Sequence, residues 1–372
     1  MKQDQRDQQH NRLIIVRPVC ELQGRTKRME DILGSTVEML EQNGTEIVWV
    51  VMASELKRIS LIGERVLFAI CLSEAGVNME YYRLLEWFRE HPDCLKGAVG
   101  GIVVDGNSEL FTKALARRIA FSANMAGCTF PGKPLVEATG SLANFNVLAK
   151  VYDKTPYEMY RQQVQELALK LLTFDYPIQT AGQKRLKVVA LHASSRKTSN
   201  SLLLWDQVRQ HLEPSAQIRE ISLRNGSMLD CRGCPYEECL HYGENDGCFY
   251  GGIMTEQVYP AILECDVLIM ICPNYNDAVG ANLTAFINRL TSIFRAHDFS
   301  RKRVYALVIS GYSGGDIVAE QIIGALNFNK AFILPAGFCM VETANDPESI
   351  MAVPDIRLKA AAFADRILDP EL

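Results

Sequence analysis

The chain has no long hydrophobic run. Its longest apolar stretches, such as Ile47 to Ala53 and Val267 to Cys272, fall far short of the roughly 18 to 20 residues that a bilayer crossing needs. The first twelve residues, MKQDQRDQQHNR, hold no apolar stretch of the kind a signal peptide carries. The expectation is a soluble, cytoplasmic protein with no membrane partner. A positive charge excess is also absent. Against 44 Asp and Glu stand 39 Lys and Arg, a net charge of −5, which argues against nucleic acid as a partner. Two phosphate-binding fingerprints are missing, the Gly-x-Gly-x-x-Gly of dinucleotide folds and the P-loop. Gly127-x4-Gly132-Lys133 imitates the latter, but Pro134 replaces the required hydroxyl.

The composition that is present describes a globular chain. With 372 residues, 48% hydrophobic and 22% charged, it has room for two or three domains. Eleven cysteines are an odd count, and without an export signal they do not read as a disulfide framework. Cys231, Cys234, Cys239 and Cys248 cluster, while Cys20, Cys71, Cys94, Cys128, Cys265, Cys272 and Cys339 are scattered and read as small core hydrophobes.

Short Val/Ile-rich runs alternate with helical periods, the pattern of βαβ units and an α/β fold. In the first half the expected strands are 13–19, 47–52, 65–71, 98–104 and 134–137, with helices at 25–42, 79–90, 110–125 and 157–172. In the second half the expected strands are 187–191, 217–222, 266–271, 304–309 and 331–334, with helices at 200–212, 255–264, 282–294, 317–326 and 355–367. The halves can be laid on each other, Val66–Cys71 on Val267–Cys272 and Ile102–Gly106 on Leu307–Gly311. With Ile14 matched to Val188, the second copy has an excess of 27 residues, about the length of the cysteine-bearing stretch 225–251. The reading is two tandem, doubly wound, parallel five-stranded sheets, 1–178 and 179–372, with the cysteine stretch inserted in the second.

Ligands of open parallel sheets bind beyond the carboxyl ends of the strands, so three loops of the second half stand out. Ala193 to Ser201 offers Ser194, Ser195, Arg196, Thr198, Ser199, Asn200 and Ser201 at a helix start, where free N–H groups, the helix dipole and a guanidinium suit a phosphate. Pro273-Asn274-Tyr275-Asn276 forms a stiff turn with an aromatic face and amide groups that can bond a heteroaromatic ring. Gly311-Tyr312-Ser313-Gly314-Gly315 permits close approach of backbone to a ligand. Each loop alone is more often an ordinary turn; their shared edge makes them a candidate site. His192, at a strand end, reads as a packed core residue.

The Ser194-x-Arg196-x-x-Ser199-x-Ser201 loop, the Pro273-Asn274-Tyr275-Asn276 turn and Ser313-Gly314-Gly315 resemble the NAD(P)H-dependent FMN reductase family, of flavodoxin-like fold, and its iron-sulfur flavoprotein branch. The resemblance covers about half the chain. It implies bound FMN, held at its phosphate by the first loop, beside its ring by the second and at the ring's polar edge by the third. It implies NAD(P)H as co-substrate and a quinone, flavin or other small electron acceptor, with no side chain required as acid or base. The first half, with Pro18 to Gln23 in place of the serine loop, is expected to bind no flavin and to pack as a pseudo-subunit, as a second protomer does in the family's homodimers.

Cys231-x2-Cys234-x4-Cys239-x8-Cys248 places four soft ligands within reach of one centre. Three readings stay open: a [4Fe-4S] cluster, as the branch implies; zinc, with His241 as a substitute ligand; and reduced thiols in a surface loop. The first would make the protein an iron-sulfur flavoprotein served by ferredoxin. A non-catalytic, redox-sensing flavoprotein is the reading from another class.

Overall fold

The computed structural model describes residues 11–20, 27–176, 185–194, 198–224 and 228–370. The chain divides into two compact units, Met1–Asp175 and Tyr176–Leu372. The first runs β1 (Arg12–Val16), α1 (Lys27–Gln42), β2 (Glu46–Val50), β3 (Arg65–Leu72), α2 (Met79–Glu90), β4 (Val99–Gly106), α3 (Thr112–Met125), β5 (Leu135–Ala138), α4 (Asn146–Tyr152) and α5 (Pro156–Thr173). The second runs β6 (Leu186–His192), α6 (Asn200–Leu212), β7 (Ala216–Ser222), α7 (Tyr236–Glu244), α8 (Tyr259–Glu264), β8 (Val267–Pro273), α9 (Ala281–Arg289), α10 (Thr291–Phe294), β9 (Arg303–Ser310), α11 (Gly315–Ile322), β10 (Cys339–Thr343) and α12 (Ile356–Leu368).

Each unit has one five-stranded parallel sheet, in the orders β2-β1-β3-β4-β5 and β10-β9-β8-β6-β7. Read from opposite edges these are one order, the flavodoxin-like 2-1-3-4-5. The chemistry of the strands explains their positions. Every residue of β3, RVLFAICL, and of β9, RVYALVIS, is buried, as expected of central parallel strands covered on both faces. The edge strands β2 and β7 carry exposed positions. Helix starts follow local capping: Asn78 accepts from the Tyr81 N–H at 3.0 Å to open α2, and Thr155 with Glu158 forms a capping box ahead of Pro156 to open α5.

The two sheets repeat each other at the level of register. Val99 bridges Thr129, and three residues on Ile102 pairs with Leu135. Arg303 bridges Ile333, and three residues on Ala306 pairs with Cys339. In both units an Asn side chain at the turn into this bridge donates to a buried carbonyl, Asn124 to Cys128 at 2.9 Å and Asn327 to Phe332 at 2.7 Å. The last helix of each unit packs against the first, α5 on α1 and α12 on α6. Its C-terminal carbonyls accept from an arginine that begins a central strand, Phe174 from Arg65 at 3.1 Å and Ile367 from Arg303 at 3.0 Å. A cation suits a helix C-terminus.

Three corrections emerge. The fifth strand of the second unit is Cys339–Thr343, not 331–334, where isolated bridges form at Ile333 and Leu334, Ile333 pairing with Arg303. Ala331 stands at φ +64, and Pro335 has no N–H to give a ladder. Phe332-Ile333-Leu334 is buried and so looks like a strand in composition. Sheet register agrees with matching Ile14 to Val188 and Val66 to Val267, since Ile14 pairs with Val66 and Val188 with Val267, whereas the shared bridge matches Val99 to Arg303 and so Ile102 to Ala306, one residue from Leu307. Of the seven scattered cysteines, five are buried, while Cys20 and Cys94 are only partly so.

At the carboxyl edge of the first unit, Arg28 at the start of α1 pairs with Asp105, donating Nε to Oδ2 at 3.0 Å and Nη2 to Oδ1. The same guanidinium donates to the carbonyls of Gly106, Thr139 and Gly140 at 3.1 to 3.2 Å. Asp105 is 6% exposed, so removing it strands a cation among carbonyls. Asp105→Ala is expected to destabilise the protein by about 2–4 kcal/mol, read as a lowered urea midpoint; an unchanged midpoint would show the pair to be dispensable.

Candidate functional site

In the second unit, the carboxyl edge of the sheet opens as a cleft of about 690 Å3. The volume lies within the roughly 300–1,000 Å3 of small-molecule sites. Its walls include Ser194, Thr198, Ser199, Asn200 and Ser201 from the loop into α6, and Pro273, Asn274 and Tyr275 from the loop after β8. All three loops singled out by sequence therefore reach one space, the third through Gly311. Arg196 and Ser195 lie outside the described residues.

The α6 end of the cleft is prepared for an anion. Ser199 is the N-cap, with φ −66 and ψ 123, and makes no side-chain cap, so the first helical N–H groups are left to a ligand. The Asn200 side chain turns away from them. Its Nδ2 donates to the carbonyls of Ala344 at 3.1 Å and Asp346 at 2.8 Å, and its Oδ1 accepts from the Ile350 N–H at 3.3 Å. Asn200 is thus a neutral tie across the edge. At the other end Asn274 donates to Ser310 Oγ and to the Ser313 carbonyl, both at 2.9 Å. Its Oδ1 is buried with no hydrogen-bond partner, an acceptor that a ligand N–H would satisfy. Tyr275 is 65% exposed and offers its ring at the mouth.

The remaining sequence candidates stand behind the wall. Asn276 is not among the lining residues; with Asp277 it takes positive φ, 54 and 56, in the tight turn closed by the Ala278 N–H on the Tyr275 carbonyl. Ser313, Gly314 and Gly315 also do not line the cleft. Gly314 has φ +81, and a Cβ there would collide with Asp277 Oδ1, while a Cβ at Gly315 would collide with Val341. Gly314 lets the loops after β8 and β9 close on each other, and Gly315 lets the start of α11 pack on β10. They shape the site from behind.

Gly280, Asn282 and Gly311 also line the cleft, and the structure adds residues that sequence reading missed, Ala281 at the start of α9 and Ala344, Asn345 and Pro347 after β10. The last three were hidden by the misplaced fifth strand, which left no loop to expect there. Gly280 is an N-cap without a side-chain cap, so α9 presents a second open N-terminus.

The cysteine stretch folds against α9 and α10. Arg289 donates to the carbonyls of Leu229 at 3.4 Å and Gly251 at 2.7 Å, Asn288 to Asp230 at 3.0 Å, and Ser292 to the Gly247 carbonyl at 2.5 Å. Arg295 donates to the Tyr236 carbonyl at 2.9 Å and stacks on that ring at 4.4 Å. Cys231 is exposed and the other three are half-buried. Burial pushes the Cys239 thiol up, reinforced by Cys231, Cys234 and Cys248 and opposed by Arg295, so the thiols feel one another. Yet among the described residues no group of three or more His, Cys, Asp or Glu converges as metal ligands. As folded, the four cysteines and His241 do not fit a metal centre.

His192 ends β6 at 5% exposure, with Nε2 3.3 Å from Glu220 Oε1. Glu220 also accepts from Trp205 Nε1 at 2.8 Å. The His192 hydrogen bond, aided by that of Trp205 and opposed by burial, holds the carboxyl down at about 2.

A doubly wound sheet with an open helix N-terminus and an aromatic-rimmed cleft at its carboxyl edge defines a flavodoxin-like ligand-binding unit. Residues 186–346 match the family model described as NADPH-dependent FMN reductase, a family of enzymes, and that match lies wholly in the second unit. An iron-sulfur flavoprotein of Archaeoglobus fulgidus is 24% identical over 140 residues, covering 37% of this chain and 69% of the relative. Solved structures with lower identity include an NAD(P)H:quinone oxidoreductase from Methanothermobacter marburgensis, at 14% identity and TM-score 0.37, covering 50% of this chain and 98% of that one. An FMN-dependent NADH-azoreductase from Bacillus anthracis in complex with FMN is 12% identical at TM-score 0.35, covering 50% and 100%. Among the described residues no helix is long and apolar enough to cross a membrane.

Two outcomes follow from this geometry. Gly314→Ala combines a left-handed backbone with a collision, and is expected to cost at least about 1–2 kcal/mol in a urea melt; a wild-type midpoint would disprove the closing role. Glu220, held below its ordinary 4.5, contributes stability above pH 4.5 that is lost as pH falls toward 2. The stability gap between wild type and Glu220→Gln is expected to shrink across that window in urea melts at stepped pH. A constant gap would contradict the assignment.

Proposed function

We propose that the second unit binds FMN in this cleft and that the protein is an oxidoreductase passing hydride from NAD(P)H to a quinone, flavin or other small acceptor. The observation that carries the reading is the uncapped start of α6 facing a cleft whose far wall holds the orphaned Asn274 Oδ1. Bound FMN would supply the redox chemistry itself. The chain's part is binding and orientation. Open N–H groups of α6, with Ser194, Thr198, Ser199 and Ser201, hold the phosphate, and Arg196 adds a cation to that loop. Pro273, Asn274 and Tyr275 bound the ring, Asn274 Oδ1 accepting from a ring N–H. Asn276, Ser313, Gly314 and Gly315 keep these loops in place.

In this reading the chain is a tandem duplication, with FMN-binding unit 179–372 carrying the cysteine insertion at about 225–251 and unit 1–178 flavin-free. The shared bridge, the shared register and the paired Asn124 and Asn327 support the duplication. The engagement of Arg28, at the start of α1, by Asp105 and three carbonyls supports the flavin-free first copy. A homodimer and a cytoplasmic location belong to the same reading.

A second reading, ferredoxin-linked electron transfer with a [4Fe-4S] cluster on Cys231, Cys234, Cys239 and Cys248, is favoured by the likeness to the iron-sulfur flavoprotein of Archaeoglobus fulgidus. The lack of convergence among the thiols weighs against it. Iron and sulfide analysis of anaerobically purified protein decides between flavin alone and flavin with iron.

The principal test is Ser199→Asp. An aspartate N-cap satisfies the open N–H groups itself and sets a negative charge where the phosphate would lie. Wild type is expected to carry one FMN per chain. The variant is expected to bind FMN at least about tenfold more weakly, with an unchanged circular dichroism spectrum, and to lose NADPH oxidation with a quinone in proportion. Wild-type flavin affinity in the variant, or two flavins per wild-type chain, would overturn the reading.

A further inference from the structure

The last residue of β6 is His192, and the wall of the cleft begins at the next residue, Ala193. His192 is buried, with its Nε2 3.3 Å from Glu220 Oε1 on β7. Glu220 also accepts from Nε1 of Trp205 at 2.8 Å, and Trp205 is a buried residue in the second turn of α6. One carboxylate thus joins three elements: the strand that leads into the serine loop, its neighbour in the sheet, and the helix whose uncapped start faces the cleft. Held down at about 2, the carboxyl stays ionised and able to accept both bonds.

Packing alone would not choose this arrangement. His192 Nδ1 is buried with no hydrogen-bond partner, and so is Oγ of Ser222, the register partner of His192 at the end of β7. Buried polar atoms left unpaired cost stability. The first unit shows that the fold can do without them. Ile14 pairs with Val48 as Val188 pairs with Ile218, which sets Pro18 and Val50 at the places of His192 and Glu220. Both are apolar and buried. The polar bridge therefore stands in the copy whose first helix starts without a side-chain cap, and the apolar pair in the copy whose first helix start carries Arg28 on Asp105.

We infer that His192 is a positioning residue for the phosphate bound at the start of α6. Through Glu220 it fixes Trp205, and with it the first turns of α6, at the place on the sheet where the helix N–H groups meet the phosphate. Asn200, tied to Ala344 and Asp346, holds the same helix at its first residue, so the helix start is pinned twice. Recognition of an anion by helix N–H groups is directional, and it weakens when the donors shift by about half an ångström. The inference rests on the reading of this cleft as the flavin site and concerns its phosphate end alone.

The experiment titrates the full-length protein, dialysed free of flavin, with FMN and with riboflavin by flavin fluorescence, and with inorganic phosphate by equilibrium dialysis. His192→Leu is expected to weaken FMN and phosphate by about tenfold or more, and riboflavin, which lacks the phosphate, by less than about threefold. His192→Gln keeps a donor for Glu220 and is expected to restore most of the loss. Glu220→Ala cuts the bridge from the other strand and also removes a negative charge, so positioning predicts weaker FMN binding where a bare charge effect predicts tighter binding. Its side chain is partly exposed, and this variant carries the comparison if His192→Leu does not fold. The inference fails if His192→Leu keeps wild-type FMN affinity, if riboflavin weakens as much as FMN, or if Glu220→Ala binds FMN more tightly. Should wild type take up phosphate but neither flavin, the flavin reading fails, and the same variants judge the positioning of the anion on phosphate.

Discussion

Both units depend on a tie across the carboxyl edge of the sheet, from the start of the first helix to the loop after the fifth strand. Without it the edge would be free to splay, because strand hydrogen bonds end there and the loops have only each other. The units make the tie with different chemistry. In the second, the neutral Asn200 donates to Ala344 and Asp346 and leaves the dipole of α6 unanswered. In the first, the charged Arg28 donates to Thr139 and Gly140 and must be neutralised by Asp105. One residue choice leaves a helix end without a side-chain cap; the other fills its own edge with an internal ion pair.

This contrast also explains what could be read from sequence. The sheets were legible because parallel central strands are continuous apolar runs; Val66–Cys71 and Val267–Cys272 announce β3 and β8. Helices α2 and α6 were legible to the residue, since Asn78 and Ser199 stand at their starts. The fifth strand of the second unit was not. Phe332-Ile333-Leu334 has the composition of a strand, but the positive φ of Ala331 and the imide of Pro335 restrict its pairing to isolated bridges, and neither property appears in hydrophobic periodicity. The short helix α7 was missed because its sequence, YEECLHYGE, lies within the cysteine stretch and carries Cys239, which reads as ligand spacing instead.

The candidate site was legible by loop but not by role. Serine-rich and Pro-Asn-Tyr loops were recognisable as local chemistry, and both line the cleft. Gly314 and Gly315 looked like a place for close ligand approach, yet the close approach is to Asp277 and Val341. A glycine in sequence reports only that something comes near. Whether that neighbour is ligand or protein is decided by tertiary packing.

The cysteine stretch illustrates the same limit with larger consequences. Spacing brings four thiols within reach of one centre in sequence, but the fold decides where they point. Here the stretch is anchored by Arg289, Asn288, Ser292 and Arg295 through its backbone carbonyls and Asp230, and none of those bonds involves a sulfur. Its attachment to α9 is therefore complete before any thiol is used. The helix that begins at the cleft with Gly280 ends by gripping the cysteine stretch through Arg289. A change in the thiols would have to be felt through that grip to reach the cleft, because the backbone bonds, not the sulfurs, fix the stretch against the helix.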